Sequence, residues 1–209
     1  KFEPMKTKTL VSQIEKLLKK CGFESNGLFV MNGSLRSNHG NAYFTGFGKS
    51  KRIVFFDTLL EKLTGKEIEA VLAHELGHFH HNHVKKRIIL MFVVSFVGLY
   101  LLGLLKESAW FYEGLGVTGM TDANALLLFL LVSPLFVVFI RPIMAYYSRL
   151  NEFEADEYAC QCAKASDLKQ SLVKLYRDNA STLTPDPLYS SFYDSHPPAL
   201  LRIQAIDKR

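Results

Sequence analysis

The sequence predicts an α+β fold, mainly helical, with a small β-sheet beside an H-E-x-x-H helix and a hydrophobic helical hairpin of membrane-spanning length. Three observations carry this. His74-Glu75-Leu76-Gly77-His78 stands inside a run with helical periodicity. The stretches 88–105 and 125–140 are apolar or small throughout and carry no charge. Short segments around 23–31, 42–45 and 52–56 have the apolar character and alternation of strands.

In chain order, Leu10 to Cys21 reads as an amphipathic helix with Leu10, Ile14, Leu17 and Leu18 on one face. Phe23 to Met31 and Arg52 to Phe56 read as strands around the alternating Ala42-Tyr43-Phe44-Thr45. Thr64-Gly65-Lys66-Glu67 has the form of a capping box and opens a helix with Ile68, Val71, Leu72 and Leu76 at helical spacing. No proline follows until well past 90, so one long helix should carry the motif straight into the first apolar run. That run reaches the lower end of what spans a bilayer. The second run does so when extended to Ala123 or through Pro142 to Tyr147, and Pro134 should kink it. Ser166 should cap a helix through Leu168, Leu172 and Leu175 toward Asn179. Thr184-Pro185-Asp186-Pro187 reads as a loop, and Pro198 begins a short last helix.

Lys85, Lys86 and Arg87 precede the first apolar run, and Arg141 and Arg149 follow the second. The intervening loop sets Lys106 against Glu107, Glu113 and Asp122. This bias puts both outer ends on the cytoplasmic side, with Trp110, Phe111 and Tyr112 as interfacial aromatics. Hydrophobic residues make up 48% of the chain, and the net charge is only +5. That excess belongs partly to the flanks of the hairpin and suits contact with anionic lipid; no nucleic-acid motif is present. Cys21, Cys160 and Cys162 are odd in number and wrongly spaced for a disulfide framework or a C-x-x-C metal knuckle, so reduced thiols are expected.

The chemistry lies in the motif. Histidines four apart share a helical face, so His74 and His78 can reach one metal ion. Glu75 between them can act on a water activated there. A catalytic zinc usually takes a third protein ligand. The H-E-x-x-H-x-x-G-x-x-H pattern would need Gly at 81 and His at 84; the chain has His81 and Val84. Two sources remain. One is the histidine tail, in which His81 follows His78 by three residues. His80 and His81 read as solvated histidines at a membrane boundary, and His83 as lining the site entrance. The other is an acid from a second helix, where Glu152 and Asp156 share a face. Glu152 suits a ligand, and Asp156 suits an acceptor that orients a ligating histidine. Glu154 should point elsewhere, and Glu157 is offset. His39 reads as a loop residue.

Four blocks together resemble the type 1 CAAX prenyl endopeptidase family, gluzincin-type integral-membrane zinc metalloproteases with bacterial relatives. They are Asn41 to Leu60, His74 to His78, Ser148-Arg149 with Glu152 and Asp156, and Ser195-His196-Pro197-Pro198 with Arg202. The resemblance implies one zinc per chain on His74, His78 and Glu152, with Glu75 as general base. It implies that Asn41 and His196 stabilise the tetrahedral intermediate and that Asp156 and Arg202 support the site. An exposed strand at Asn41, Ala42 and Tyr43 would hold an extended substrate by β-augmentation.

The implied activity is a zinc metalloendopeptidase acting on peptide or protein substrates that are prenylated or membrane-embedded. A bacterial quality-control protease of the same family is the alternative, and a non-catalytic zinc-binding scaffold a more distant one. The expected setting is a multi-pass protein of the bacterial inner membrane or endoplasmic reticulum, with its site toward the cytoplasm. The organisation expected is one peptidase domain, 1–209: a soluble part to 87, a transmembrane hairpin over 88–147 and a C-terminal part from 148. Residue 1 is Lys, and family members carry further membrane helices before this region, so the chain is expected to be the catalytic half of a longer protein.

Overall fold

The computed structural model describes residues 2–34, 42–45, 52–178 and 184–208. Helix α1 spans Lys8–Lys20, α2 Asp57–Lys62 and α3 Gly65–His80. The capping box that opens α3 is formed: the Glu67 N–H donates to Thr64 Oγ1 at 3.4 Å, and the Thr64 N–H donates to Glu67 Oε2 at 2.7 Å. The buried face of α3 is Ile68, Leu72 and Leu76 with Ala70 and Ala73. It packs in one core with Ile14 and Leu17 of α1. Each such aliphatic side chain contributes roughly 1.5–3 kcal/mol when fully buried.

Four strands complete that core: β1 (Phe2–Pro4), β2 (Leu28–Met31), β3 (Ala42–Thr45) and β4 (Arg52–Phe56). Their order is β1-β2-β4-β3, with β2 parallel to β4 and the other neighbours antiparallel. Ile53, Val54 and Phe55 are buried at the centre, and β3 forms an edge. β3 and β4 lie where the alternation put them. β2 starts only at Leu28, because Gly27 holds φ 113°, a backbone closed to other residues.

The motif helix does not run on into the first apolar run. Asn82 adopts the left-handed conformation, φ 57° and ψ 32°, and separates α3 from α4 (His83–Leu105). The N–H groups of His81 and Asn82 close the end of α3 on the carbonyls of Gly77 and Phe79, at 3.0 and 3.1 Å. Asparagine reaches this conformation at little cost, so a helix with no proline still stops here.

After α5 (Ala109–Glu113), α6 (Asp122–Cys162) is a single helix of 41 residues with Pro134 and Pro142 inside it. At ~1.5 Å per residue it is about 60 Å long, twice the ~30 Å hydrocarbon core. Its apolar half alone matches a bilayer; the end bearing Glu152 and Asp156 projects beyond. The acidic segment is therefore the continuation of the second apolar run. α4 and α6 are long and apolar enough to cross a membrane, and their apolar windows are 0% and 11% buried. A soluble core helix would be covered; here Phe92 and Phe96 are both 73% exposed. At the closed end of the hairpin, Phe111 and Tyr112 are buried with Ala125 and Leu128, and the Tyr112 hydroxyl donates to the Lys106 carbonyl at 2.8 Å. They pack the turn and cannot serve as interfacial anchors; Trp110 stays exposed.

The chain ends in α7 (Ala165–Asp178), α8 (Pro187–Tyr193) and α9 (Ala199–Asp207). Ser166 lies inside α7 and is not its cap. The unexpected α8 starts where Asp186 accepts from the Tyr189 N–H at 2.8 Å, with Pro187 as the first helical residue. Leu168 and Leu172 of α7 and Ile206 of α9 close the core. Cys21, Cys160 and Cys162 form no disulfide among the described residues, and Lys20 donates to the Cys162 carbonyl at 2.6 Å, tying the ends of α1 and α6 together.

Candidate metal centre

Two helices build the site. His74 and His78 rise from one face of α3, and Glu152 comes from the projecting end of α6. His74 and Glu152 are buried, and His78 is half-buried. The Nε2 atoms of His74 and His78 lie 3.2 Å apart. His74 Nε2 is 3.5 Å from Glu152 Oε2, and His78 Nε2 is 3.4 Å from Glu152 Oε1. Donors on a tetrahedral zinc, with bonds of about 2.0–2.1 Å, stand about 3.3 Å from one another. The two nitrogens and the two oxygens of the Glu152 carboxylate, which they approach one each, stand at separations of that size.

Glu152 Oε2 supplies a second test of fit. His74, His196 and Arg202 nitrogens come within 3.1–3.5 Å of it, but none in a hydrogen-bonding direction, so it is a buried carboxylate oxygen with no hydrogen-bond partner among the described residues. A buried carboxylate oxygen without a hydrogen bond, beside imidazole nitrogens, is free to bind a metal, and this donor set suits a divalent cation.

The surrounding contacts hold the donors in place. Asp156 Oδ1 is 2.9 Å from His74 Nδ1. Arg202 Nη2 is 3.3 Å from the same nitrogen. Nδ1 cannot both accept from Arg202 and donate to Asp156, so the proton belongs on Nδ1, donated to the nearer carboxylate, and Nε2 is left facing Glu152. Buried Arg202 donates from Nε and Nη2 to the two Asp156 oxygens at 2.8 and 2.6 Å. Burial alone would lower the pKa of His74, yet Asp156 and Glu152 raise it to about 9. Burial also works against ionised Glu152, but His196, His74 and His78 hold its carboxyl far below the usual range. Asp156 is likewise held low against burial by Arg202 and His74. Electrostatically, the site is prepared for positive charge.

On the other side, His83 is largely buried and, as expected, helps to line a groove beside the site. Its Nδ1 is 2.9 Å from His78 Nδ1, and its Nε2 is 2.9 Å from Glu154 Oε2. Glu154 stands outside the cluster of His74, His78 and Glu152, as expected, and pairs with His83 instead. The sequence signal was Asn82, a residue able to stop the helix and turn His83 back. Ligand atoms of His81, His83 and Glu154 also lie within 4.8 Å of one another, but both nitrogens of His83 are already engaged.

A groove of about 550 Å³ opens beside the centre, lined by Glu75, His78, His196 and, toward the hairpin, Val84, Leu90, Met144 and Tyr147. A smaller cavity of about 150 Å³ is bounded by Ala42, His74, Glu75, Glu152 and His196. Glu75 makes no hydrogen bond or ion pair among the described residues. His196 is exposed, with Nδ1 at 3.1 Å from Glu152 Oε2. The segment around it is held from both sides. Arg149 donates to the carbonyls of Ser190 and Asp194 at 3.3 and 2.9 Å, and the Tyr176 hydroxyl donates to that of Pro197 at 2.9 Å. Neither role was apparent in the sequence. Tyr43 pairs with Val54 on the edge strand. Asn41 lies outside the described residues.

A paired-histidine and glutamate centre able to hold a metal thus stands beside two helices of membrane-spanning length. The chain belongs to peptidase family M48, whose family model matches residues 4–209. The CAAX prenyl protease 1 homolog of Arabidopsis thaliana is 38% identical over 212 residues, covering 99% of this chain and 49% of that protein. CAAX prenyl protease 1 of Saccharomyces cerevisiae is 36% identical, covering 99% and 49%, and the human homolog is 32% identical, covering 99% and 52%. The crystal structure of S. mikatae Ste24p superposes with a TM-score of 0.89 at 36% identity, over 99% of this chain and 52% of that one. The chain thus spans about half the length of the curated relatives it matches.

Proposed function

We propose that the chain is the catalytic part of a membrane zinc endopeptidase of the CAAX prenyl protease type, with one zinc on His74, His78 and Glu152. The observation that carries this reading is the cluster of His74 Nε2, His78 Nε2 and the Glu152 carboxylate, the nitrogens 3.2 Å apart and each within 3.4–3.5 Å of one carboxylate oxygen. When bound, zinc supplies a Lewis acid that polarises the scissile carbonyl and acidifies the attacking water. The chain's own residues do the rest. Glu75, on the wall shared by groove and cavity, takes the proton of that water and delivers it to the leaving amine. His196, exposed at the mouth, donates to the carbonyl oxygen as charge develops, together with Asn41. Asp156 and Arg202 keep His74 in the tautomer that leaves Nε2 free.

The substrate is an extended peptide laid against β3, the edge strand whose first described residue, Ala42, walls the cavity. The groove continues along the apolar Leu90 and Met144 of the two long helices, which suits a lipidated or membrane-embedded substrate. Lys85, Lys86 and Arg87, where α4 begins, favour a cytoplasmic site in a multi-pass protein. Residues 1–209 act as one peptidase unit around this hairpin.

The test is zinc content by elemental analysis on detergent-purified wild type and Glu152→Ala, with hydrolysis of prenylated and unprenylated peptides alongside. One zinc per chain, lost together with activity in the variant, and a prenyl-dependent rate are expected. Full zinc retention in Glu152→Ala would remove Glu152 from the ligand set.

A further inference from the structure

If His78 gives Nε2 to the metal, the protons beyond it have one consistent arrangement. The His78 proton then sits on Nδ1 and must be donated. The atom facing it at 2.9 Å is His83 Nδ1, which has to accept. Neutral His83 therefore carries its own proton on Nε2, and 2.9 Å away Glu154 Oε2 accepts it. Each donor meets an acceptor, and the chain ends on a carboxylate that is half exposed.

We propose that His83 and Glu154 are positioning residues for His78, a hydrogen-bond chain that fixes the ring orientation and tautomer of a metal ligand. The proposal rests on reading His78 as that ligand. It gives the two histidines matching support from α6: Asp156 holds His74 directly, and Glu154 holds His78 through His83. The backbone is shaped for this. The left-handed turn at Asn82 begins a new helix at His83 and brings its ring edge-on to that of His78, with centroids 5.1 Å apart. On its other side the ring is bounded by His81, stacked at 5.5 Å and 13°.

Zinc affinity, measured by competition with a chromophoric chelator on detergent-purified protein, tests this with zinc as the probe. The proteins compared are wild type, His83→Phe, Glu154→Ala, Glu154→Gln and, as reference, His78→Ala. Thermal unfolding of each metal-free form is recorded. His83→Phe and Glu154→Ala should weaken zinc binding about 10–100-fold, the range for removing such outer partners. Glu154→Gln should recover part of it, since its amide oxygen still accepts from His83. Glu154 is half exposed, so its variants should keep the wild-type metal-free unfolding midpoint and remain informative if His83→Phe does not fold. Wild-type zinc affinity in Glu154→Ala, with weakened binding in His78→Ala, would overturn the positioning role alone. Unchanged affinity in His78→Ala as well would overturn the reading of the metal centre beneath it.

Discussion

Gly77 and Ala155 bring α3 and α6 together backbone to backbone: a Cβ on Gly77 would stand 2.8 Å from the Ala155 Cα and 2.9 Å from its carbonyl oxygen. Neither neighbour is a flexible side chain that could swing away. Gly77 lies one residue before His78, and Ala155 lies three after Glu152, so the spacing of these helices sets the distance between the donors.

Gly77→Ala should therefore act on metal and fold together. Forcing a methyl into this contact costs about 1–3 kcal/mol and displaces Glu152 from the histidine pair. A lowered unfolding midpoint with less than one zinc per chain is expected, read by thermal unfolding and elemental analysis of the same sample. A variant with wild-type midpoint and full zinc would mean that α6 can slide without disturbing its donors.

Arg202 sits between two buried carboxylates and is bidentate on Asp156. Arg202→Met would leave Asp156 and Glu152 without their shared cation, and breaking one side of a buried pair costs about 3–5 kcal/mol. Arg202→Lys keeps the charge but not the two parallel bonds, so it should fall between wild type and Met. Denaturant unfolding of the metal-free protein in detergent should give the order wild type, Lys, Met; Met equal to wild type would refute the charge argument.

How much of this was legible follows from the range of the interactions. The capping box at Thr64 and Glu67 acts over three residues, and the spacing of His74 with His78, and of Glu152 with Asp156, over four. All of these are local and were readable, as were the apolar runs. The break at Asn82 was not, because no proline or glycine marks it and only the backbone angle of one residue changes. The contacts of His83 with His78 and Glu154 were hidden for the same reason: a straight helix carries His83 away from His78. Arg149 and Tyr176 reach their carbonyl partners across long stretches of chain, and no local pattern announces such a contact. Phe111 and Tyr112 have the composition of interfacial aromatics, and only the closing of the hairpin shows them buried.

Glu67 couples the start of the motif helix to α7. Its side chain is buried, accepts from the Thr64 N–H and pairs with Lys174 Nζ at 2.7 Å. Burial acts to raise its pKa, but Lys174 and the Thr64 bonds bring it below the ordinary 4.5. A carboxyl with a depressed folded pKa contributes stability that is present above its unfolded pKa and lost as pH falls through the folded one. Unfolding followed downward from pH 6 should therefore show a loss of stability below about 4.5 in wild type. That loss should be smaller in Glu67→Gln, which should also be less stable by about 1 kcal/mol at neutral pH through its weaker cap. Parallel curves for the two proteins would assign the acid sensitivity to other carboxyls.

Glu75→Gln separates binding from chemistry. Glu75 contributes no donor to the triangle of His74, His78 and Glu152, and it makes no hydrogen bond or ion pair among the described residues that would be lost. Glutamine keeps its length and shape but cannot take a proton from water or return one to the leaving amine. The variant should hold one zinc per chain and unfold like wild type, while peptide hydrolysis falls by about 10²–10⁴-fold, the usual contribution of a general base. The zinc measurement must be made on the assayed sample, since an empty site would abolish activity for a different reason. Retained hydrolysis in zinc-loaded Glu75→Gln would sink the general-base role and shift attention to His196, the other titratable side chain that lines both the groove and the small cavity without belonging to the donor triangle.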